Sequence, residues 1–196
     1  MAIEKYTTEA FILKQYEQGE NDLVYKVWTK DFGIIFALAR SIRKVNAKLR
    51  LLSKKNDFLV MTFVKGKDVW RLTGVEESKE KLFTNQYSLE VKKIIAEAID
   101  KFVEEKKTYK KLFEKLKSIL LEEEEGKENV FQIQKLKLLI YYLVLVDTGY
   151  ADAQKIGAKD LEEYKTFSVH DFYTHLVLNE DEVKKHVAFV LKNSML

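Results

Sequence analysis

The hydrophobic period of this chain changes once, just after Glu76-Glu77, and that change restricts its fold more than any other feature. Upstream, apolar residues recur at every second position, as on a pleated strand. Downstream they recur at three and four, as on a helix. The switch predicts an α+β chain, with a strand-built domain over residues 1–80 and a helical domain over residues 81–196. At 196 residues the chain is long enough for each part to bury a core.

Five strands are expected in the first part. Residues 10–13 form a short apolar run, and Leu23, Tyr25 and Val27 alternate against Val24, Lys26 and Trp28. Residues 33–39 (GIIFALA) are continuously apolar, which suits a more buried strand. Residues 58–64 and 69–75 complete the set, joined by Lys65-Gly66-Lys67-Asp68, where Gly66 is expected to supply the positive φ of a tight hairpin. Gly19 and Gly33 mark two further turns. All connections are short except that between the third and fourth strands. A five-stranded set with that one long link is the outline of an OB-fold β-barrel.

The long link is also the most basic stretch of the chain. Residues 40–55 (RSIRKVNAKLRLLSKK) hold seven Lys or Arg and no carboxylate. Three of the four arginines of the chain lie here (Arg40, Arg43, Arg50), and Arg71 follows, against thirty lysines in all. The guanidinium fork fits a phosphate better than an ammonium does. Val45, Leu49 and Leu52 fall on one helical face and are expected to hold the segment to the barrel. Residues 1–79 carry 15 basic against 10 acidic side chains (+5), and residues 80–196 carry 19 against 21 (−2). The positive field therefore belongs to the strand-built part. A basic groove on such a barrel binds single strands when aromatic platforms lie beside it. Tyr16, Tyr25, Trp28, Phe36 and Trp70 are the candidate platforms, Trp28 and Trp70 foremost, although packing is the commoner role of each alone.

In the second part, Val91, Ile94, Ile95, Ala98, Ile99 and Phe102 make one apolar stripe, and Tyr109, Leu112, Phe113, Leu116, Ile119 and Leu120 another. Residues 122–126 (EEEEG) read as a solvated linker. Residues 130–148 make the most hydrophobic helix, apolar all round at its end and so expected at the centre of the helical part, with Gly149 as its C-terminal cap. A last helix is expected from Glu180, capped by Asn179 with Glu182 at capping-box spacing.

Several chemistries find no footing. There is no cysteine, so thiolate metal sites and disulfides are excluded, and the three histidines form no HExxH pattern. Neither a GxxxxGK[ST] loop nor GxGxxG nor GxSxG occurs. No catalytic residue, metal or cofactor is expected. The first residues lack the apolar core of a signal peptide, and the longest apolar run, residues 138–146, is too short to cross a bilayer. A cytoplasmic protein without a membrane partner is expected.

The segments TEAFILKQYEQGENDLVYKVWTKDFGIIFALAR, DVWRLTGVEE and FQIQKLKLLIYYLVLVDTGY, in this order, resemble the RecO family of bacterial DNA repair and recombination mediators. The resemblance implies an OB-fold followed by a helical domain. It further implies binding of single- and double-stranded DNA, annealing of complementary strands, and cooperation with RecR and with the acidic tail of single-strand-binding protein. Lys30, Arg40, Arg43, Lys44 and Lys48 fall at its DNA-contacting positions; Arg50, Arg71, Trp28 and Trp70 complete the candidate interface. Lys92, Lys93, Lys110, Lys111 and Lys115 are candidate anchors for the acidic tail. The chain departs from the family at Ser41, at Ala151-Asp152-Ala153, and in lacking the four-cysteine zinc site many members carry. A general nucleic-acid-binding module and a protein–protein adaptor are the alternatives.

Overall fold

The computed structural model describes residues 4–40, 58–66, 69–78, 86–121, 133–151 and 180–193. The basic link with Val45, Leu49 and Leu52, the acidic run 122–126 and the cap Asn179 lie outside the described residues. The chain divides into two compact units. One comprises residues 1–81 together with 104–110, the other residues 82–103 and 111–196.

The first unit is an OB-fold barrel. Strands β1 (Lys5–Gln18), β2 (Asp22–Thr29), β3 (Gly33–Ala39), β4 (Phe58–Val64) and β5 (Trp70–Glu77) close in the order β1-β2-β3-β5-β4. Among the five strands only β3 and β5 pair in parallel, through Ala37–Trp70 and Leu38–Arg71. The period of two sends Ala10, Tyr25, Val27, Ile35, Leu59 and Phe63 into the interior, where they form the barrel core. The alternate positions are not all wet. Phe58, Phe11, Trp28 and Ile34 are direct cross-strand neighbours in one row on the outer face. All four are at most 2% exposed. Burial of side chains of this size stabilises by about 1.5–3 kcal/mol each.

β1 is much longer than the four apolar residues that announce it. Residues 5–11 pair with β4 and residues 10–18 with β2, so the strand runs on beyond the barrel as one arm of a β1–β2 hairpin. That hairpin turns at Gly19, whose φ is +62°. The turn between β2 and β3 is fixed more tightly. The Thr29 hydroxyl donates to the Gly33 carbonyl (2.8 Å) and accepts from the Phe32 N–H (3.0 Å). Gly33 itself has φ +69°. Residues 104–110 return along this turn: Lys106 N–H donates to the Ile34 carbonyl (3.4 Å), and Glu105 bridges Ile34 in parallel. A Cβ on Gly33 would stand 2.5 Å from the Lys107 carbonyl oxygen, so both conformation and space require glycine. Gly66 does not take the positive φ expected of it; instead the carbonyl of Val69 comes too close for any Cβ there.

The second unit holds four helices among the described residues: α1 (Gln86–Phe102), α2 (Lys110–Ser118, entered through the last residue of the returning segment), α3 (Ile133–Asp147) and α4 (Glu180–Asn193). The expected stripe of α1 is buried throughout. In α3, residues 142–146 are five consecutive buried positions, which only a helix surrounded on all sides achieves. It ends as Gly149 predicts, at φ +85°. Tyr150 N–H donates to the Leu145 carbonyl (2.7 Å) and Gly149 N–H to that of Val146 (3.1 Å), the Schellman pairing. Val183, Val187 and Val190 make the buried face of α4. Among the described residues, no helix is long and apolar enough to cross a membrane.

Candidate nucleic-acid interface

One end of the barrel is closed by aromatic side chains. Phe32, in the β2–β3 turn, lies against Trp70 (ring centroids 5.1 Å apart) and Tyr6 (5.5 Å). Tyr6 and Trp70 meet edge to face at 5.5 Å, and Phe63 abuts Trp70 from the core at 6.1 Å. Trp70 stands where β5 begins, beside Ala37, so its inner edge joins the core while the ring remains half-buried.

Outward from this plug lies a cleft of about 670 Å³. Its aromatic wall is Tyr6 and Trp70, and its charged groups are Glu4, Arg40, Lys65 and Arg71. The strands dictate this convergence. Val64, Arg71 and Leu38 are register neighbours across β4, β5 and β3 on the outer face, and Lys5 of β1 ends the same row. Arg40 directly follows β3, and Lys65 directly follows β4. Among the described residues, three cations stand against one carboxylate, a positive balance. None of the three forms an ion pair with another described residue, and all are exposed. Lys65 places its ammonium 6.0 Å from the centre of the Trp70 ring, within cation–π range. At the acidic edge, a hydrogen bond from the Tyr6 hydroxyl to Glu4 raises the phenol pKa above its usual value and keeps it a donor.

The sequence candidates divide on this geometry. Arg40, Arg71 and Trp70 come together in the cleft. Trp28 does not reach solvent: it is fully buried in the outer apolar row, because alternation aims it opposite Val27 into a face that is also covered, so it cannot stack on a base. Tyr25 is likewise buried in the core. Tyr16 is exposed on the hairpin arm, and Phe36 lies under the Lys26 ammonium at 5.8 Å. Lys30 is away from the cleft and pairs with Glu9 at 3.4 Å. Arg43, Lys44, Lys48 and Arg50 lie outside the described residues. Tyr6, Lys65 and Glu4 were not singled out from the sequence. Tyr6 lies before the apolar run that marked the first strand, and Lys65 was absorbed into a hairpin.

The lysines considered as peptide anchors also divide. Lys92 is buried, with no hydrogen-bond partner for its ammonium among the described residues, so it is no surface anchor. Lys110 binds Asp31 at 2.8 Å, and burial lowers the Lys115 pKa; Lys93 and Lys111 are exposed. Among the described residues no cluster of three potential metal ligands occurs, and His186 of α4 lies against the Tyr142 ring.

Comparison with known proteins finds two similarities of different extent. Residues 1–78 match the family model described as "Recombination protein O N terminal". A protein of Syntrophus aciditrophicus (strain SB) described as "DNA repair protein RecO" is 27% identical over 164 residues. That match covers 76% of this chain, and it spans 57% of the relative's length.

Proposed function

Starting from the match of its N-terminal barrel to the RecO family, we propose that the chain acts in DNA repair and recombination by binding DNA at the barrel mouth and annealing complementary single strands. The observation that carries this reading is the cleft in which Arg40, Lys65 and Arg71 stand unpaired with any described residue beside the half-buried Trp70. Guanidinium and ammonium groups there bind phosphates, and an aromatic face beside them stacks a base, the combination used for single strands. In sequence, Arg43, Lys44, Lys48 and Arg50 extend the basic series from Arg40 and are proposed to follow the strand. Annealing requires charge neutralisation and two strands held close; no catalytic group takes part. Cooperation with a RecR-like partner and docking of the tail of single-strand-binding protein belong to the same reading, with Lys93 and Lys111 the accessible candidate anchors for an acidic peptide.

The test is salt-titrated binding of a labelled single-stranded oligonucleotide to the full chain, with an annealing assay alongside. Replacing Arg40 and Arg71 by Ala is expected to weaken binding about tenfold and to flatten the salt slope by about 0.7 per lost phosphate contact. An unchanged slope would show that neither arginine touches phosphate. Binding with no acceleration of annealing would leave a general nucleic-acid-binding module.

A further inference from the structure

The cleft contains one group that phosphate binding does not use. Among the described residues, Glu4 places a carboxylate in a wall whose other charged and aromatic groups are Arg40, Lys65, Arg71, Tyr6 and Trp70. Toward a phosphate it is purely repulsive. Toward a nucleobase it is an acceptor with two oxygens. The Tyr6 hydroxyl, hydrogen-bonded to it, steadies it, and Tyr6 is in turn held edge-on by Trp70. At about 670 Å³ the cleft matches a small-ligand site rather than an extended groove, with room for a base and its sugar and phosphate.

We propose that the cleft takes one unstacked nucleobase against Trp70 and reads its Watson–Crick edge with Glu4, favouring guanine. This rests on the single-strand reading above. Guanine presents the ring N1–H and the exocyclic amino group side by side, two parallel donors for two carboxylate oxygens. Adenine and cytosine offer an amino group beside an acceptor nitrogen. Thymine offers one N–H between two carbonyls, which the carboxylate repels. In a duplex these edges are occupied by the partner base, so only an unpaired base is read in this way.

The experiment measures competition binding of the full chain to thymidine 15-mers carrying one central dG, dA, dC or dT, with inosine as a fifth base lacking the guanine amino group. A single dG is expected to bind roughly tenfold tighter than dT, the discrimination a bidentate pair supplies, with inosine between them. The Glu4→Gln variant, conservative at an exposed position, is expected to reduce the dG advantage to less than about twofold while binding the all-thymidine strand no worse. Equal affinity for dG and dT overturns the proposal. So does a Glu4→Gln gain of equal size on all five strands, which makes Glu4 a repulsive surface acid only. The two readings fail separately. If Arg40→Ala and Arg71→Ala flatten the salt slope but base identity has no effect, phosphate binding stands and base reading falls. If the slope does not move either, both fall.

Discussion

In the helical unit Lys135 and Lys184 both meet Glu180, at 3.5 and 2.5 Å, and Lys92 and Lys117 are buried. In the barrel unit Lys30 pairs with Glu9 and Lys110 with Asp31, both beside the β2–β3 turn, while the mouth keeps Arg40, Lys65 and Arg71 exposed and unpaired with any described residue. The mouth thus localises three exposed cations beside one aromatic ring. The two units also differ in what locks them. The barrel depends on strand register and on two crowded glycines, Gly33 and Gly66, the helical unit on side chains buried around α3.

The largest effect should come from the helical core. Leu143→Ala, at a fully buried position of α3, is expected to cost about 3–5 kcal/mol, read from the far-UV circular dichroism of chemical unfolding. A cost below about 1 kcal/mol would mean that α3 is not the centre of its unit. Next comes the barrel's backbone lock. Gly33→Ala should cost about 2–4 kcal/mol, since it combines left-handed strain with a collision against Lys107. Gly19→Ala has similar φ but open space, and should cost only about 1 kcal/mol. Both tryptophans lie in the barrel, so their fluorescence follows this pair directly. Equal losses would remove the returning segment from the explanation.

Smaller still is the contrast in charge. Lys135→Ala and Lys184→Ala should leave oligonucleotide affinity and its salt slope unchanged, where the Arg40 and Arg71 replacements change both. An equal loss from either lysine would dissolve the localisation. The smallest effect concerns Asp31, whose carboxyl is held below the ordinary carboxylate value of 3.8, chiefly by the hydrogen bond from Lys110 and then by that from Thr8. With the folded pKa depressed, the contribution is complete above 3.8 and is lost as the pH falls through the lower folded value. Solvent screens the pair, so Asp31→Asn should cost below about 1 kcal/mol at pH 7, and the difference should shrink as the pH is lowered below 3.8. A penalty that does not change with pH would assign the effect to packing.

Much of this was legible in the sequence because it depends on apolar spacing. The five strands, the long third connection, the stripe of α1 and the cap of α3 all follow from period and from glycine. The far half of β1 was not legible. From Lys14 onward it pairs only with β2 and has no buried face to impose an alternation. The burial of Trp28 was hidden for the opposite reason: both faces of its strand are covered, and the alternating pattern assumes that one is wet. The cleft was legible in its arginines and in Trp70. Tyr6, Lys65 and Glu4 join it only through register, which brings the start of β1 beside the ends of β3 and β4. Residues 104–110 carry mainly charged side chains, and much of what they give the barrel comes from the backbone, so composition could not reveal it.

The returning segment also sets an order of manufacture. As the chain is synthesised, all five strands are present once Glu77 has emerged, yet the turn at Gly33 still lacks the backbone it closes upon until residues 104–110 follow. α1 must be made in between. A fragment cut near residue 80 keeps every strand but loses the Lys106–Ile34 hydrogen bond and the Lys110–Asp31 ion pair. Excising this barrel as a working module therefore means carrying the chain through Lys110, helix included.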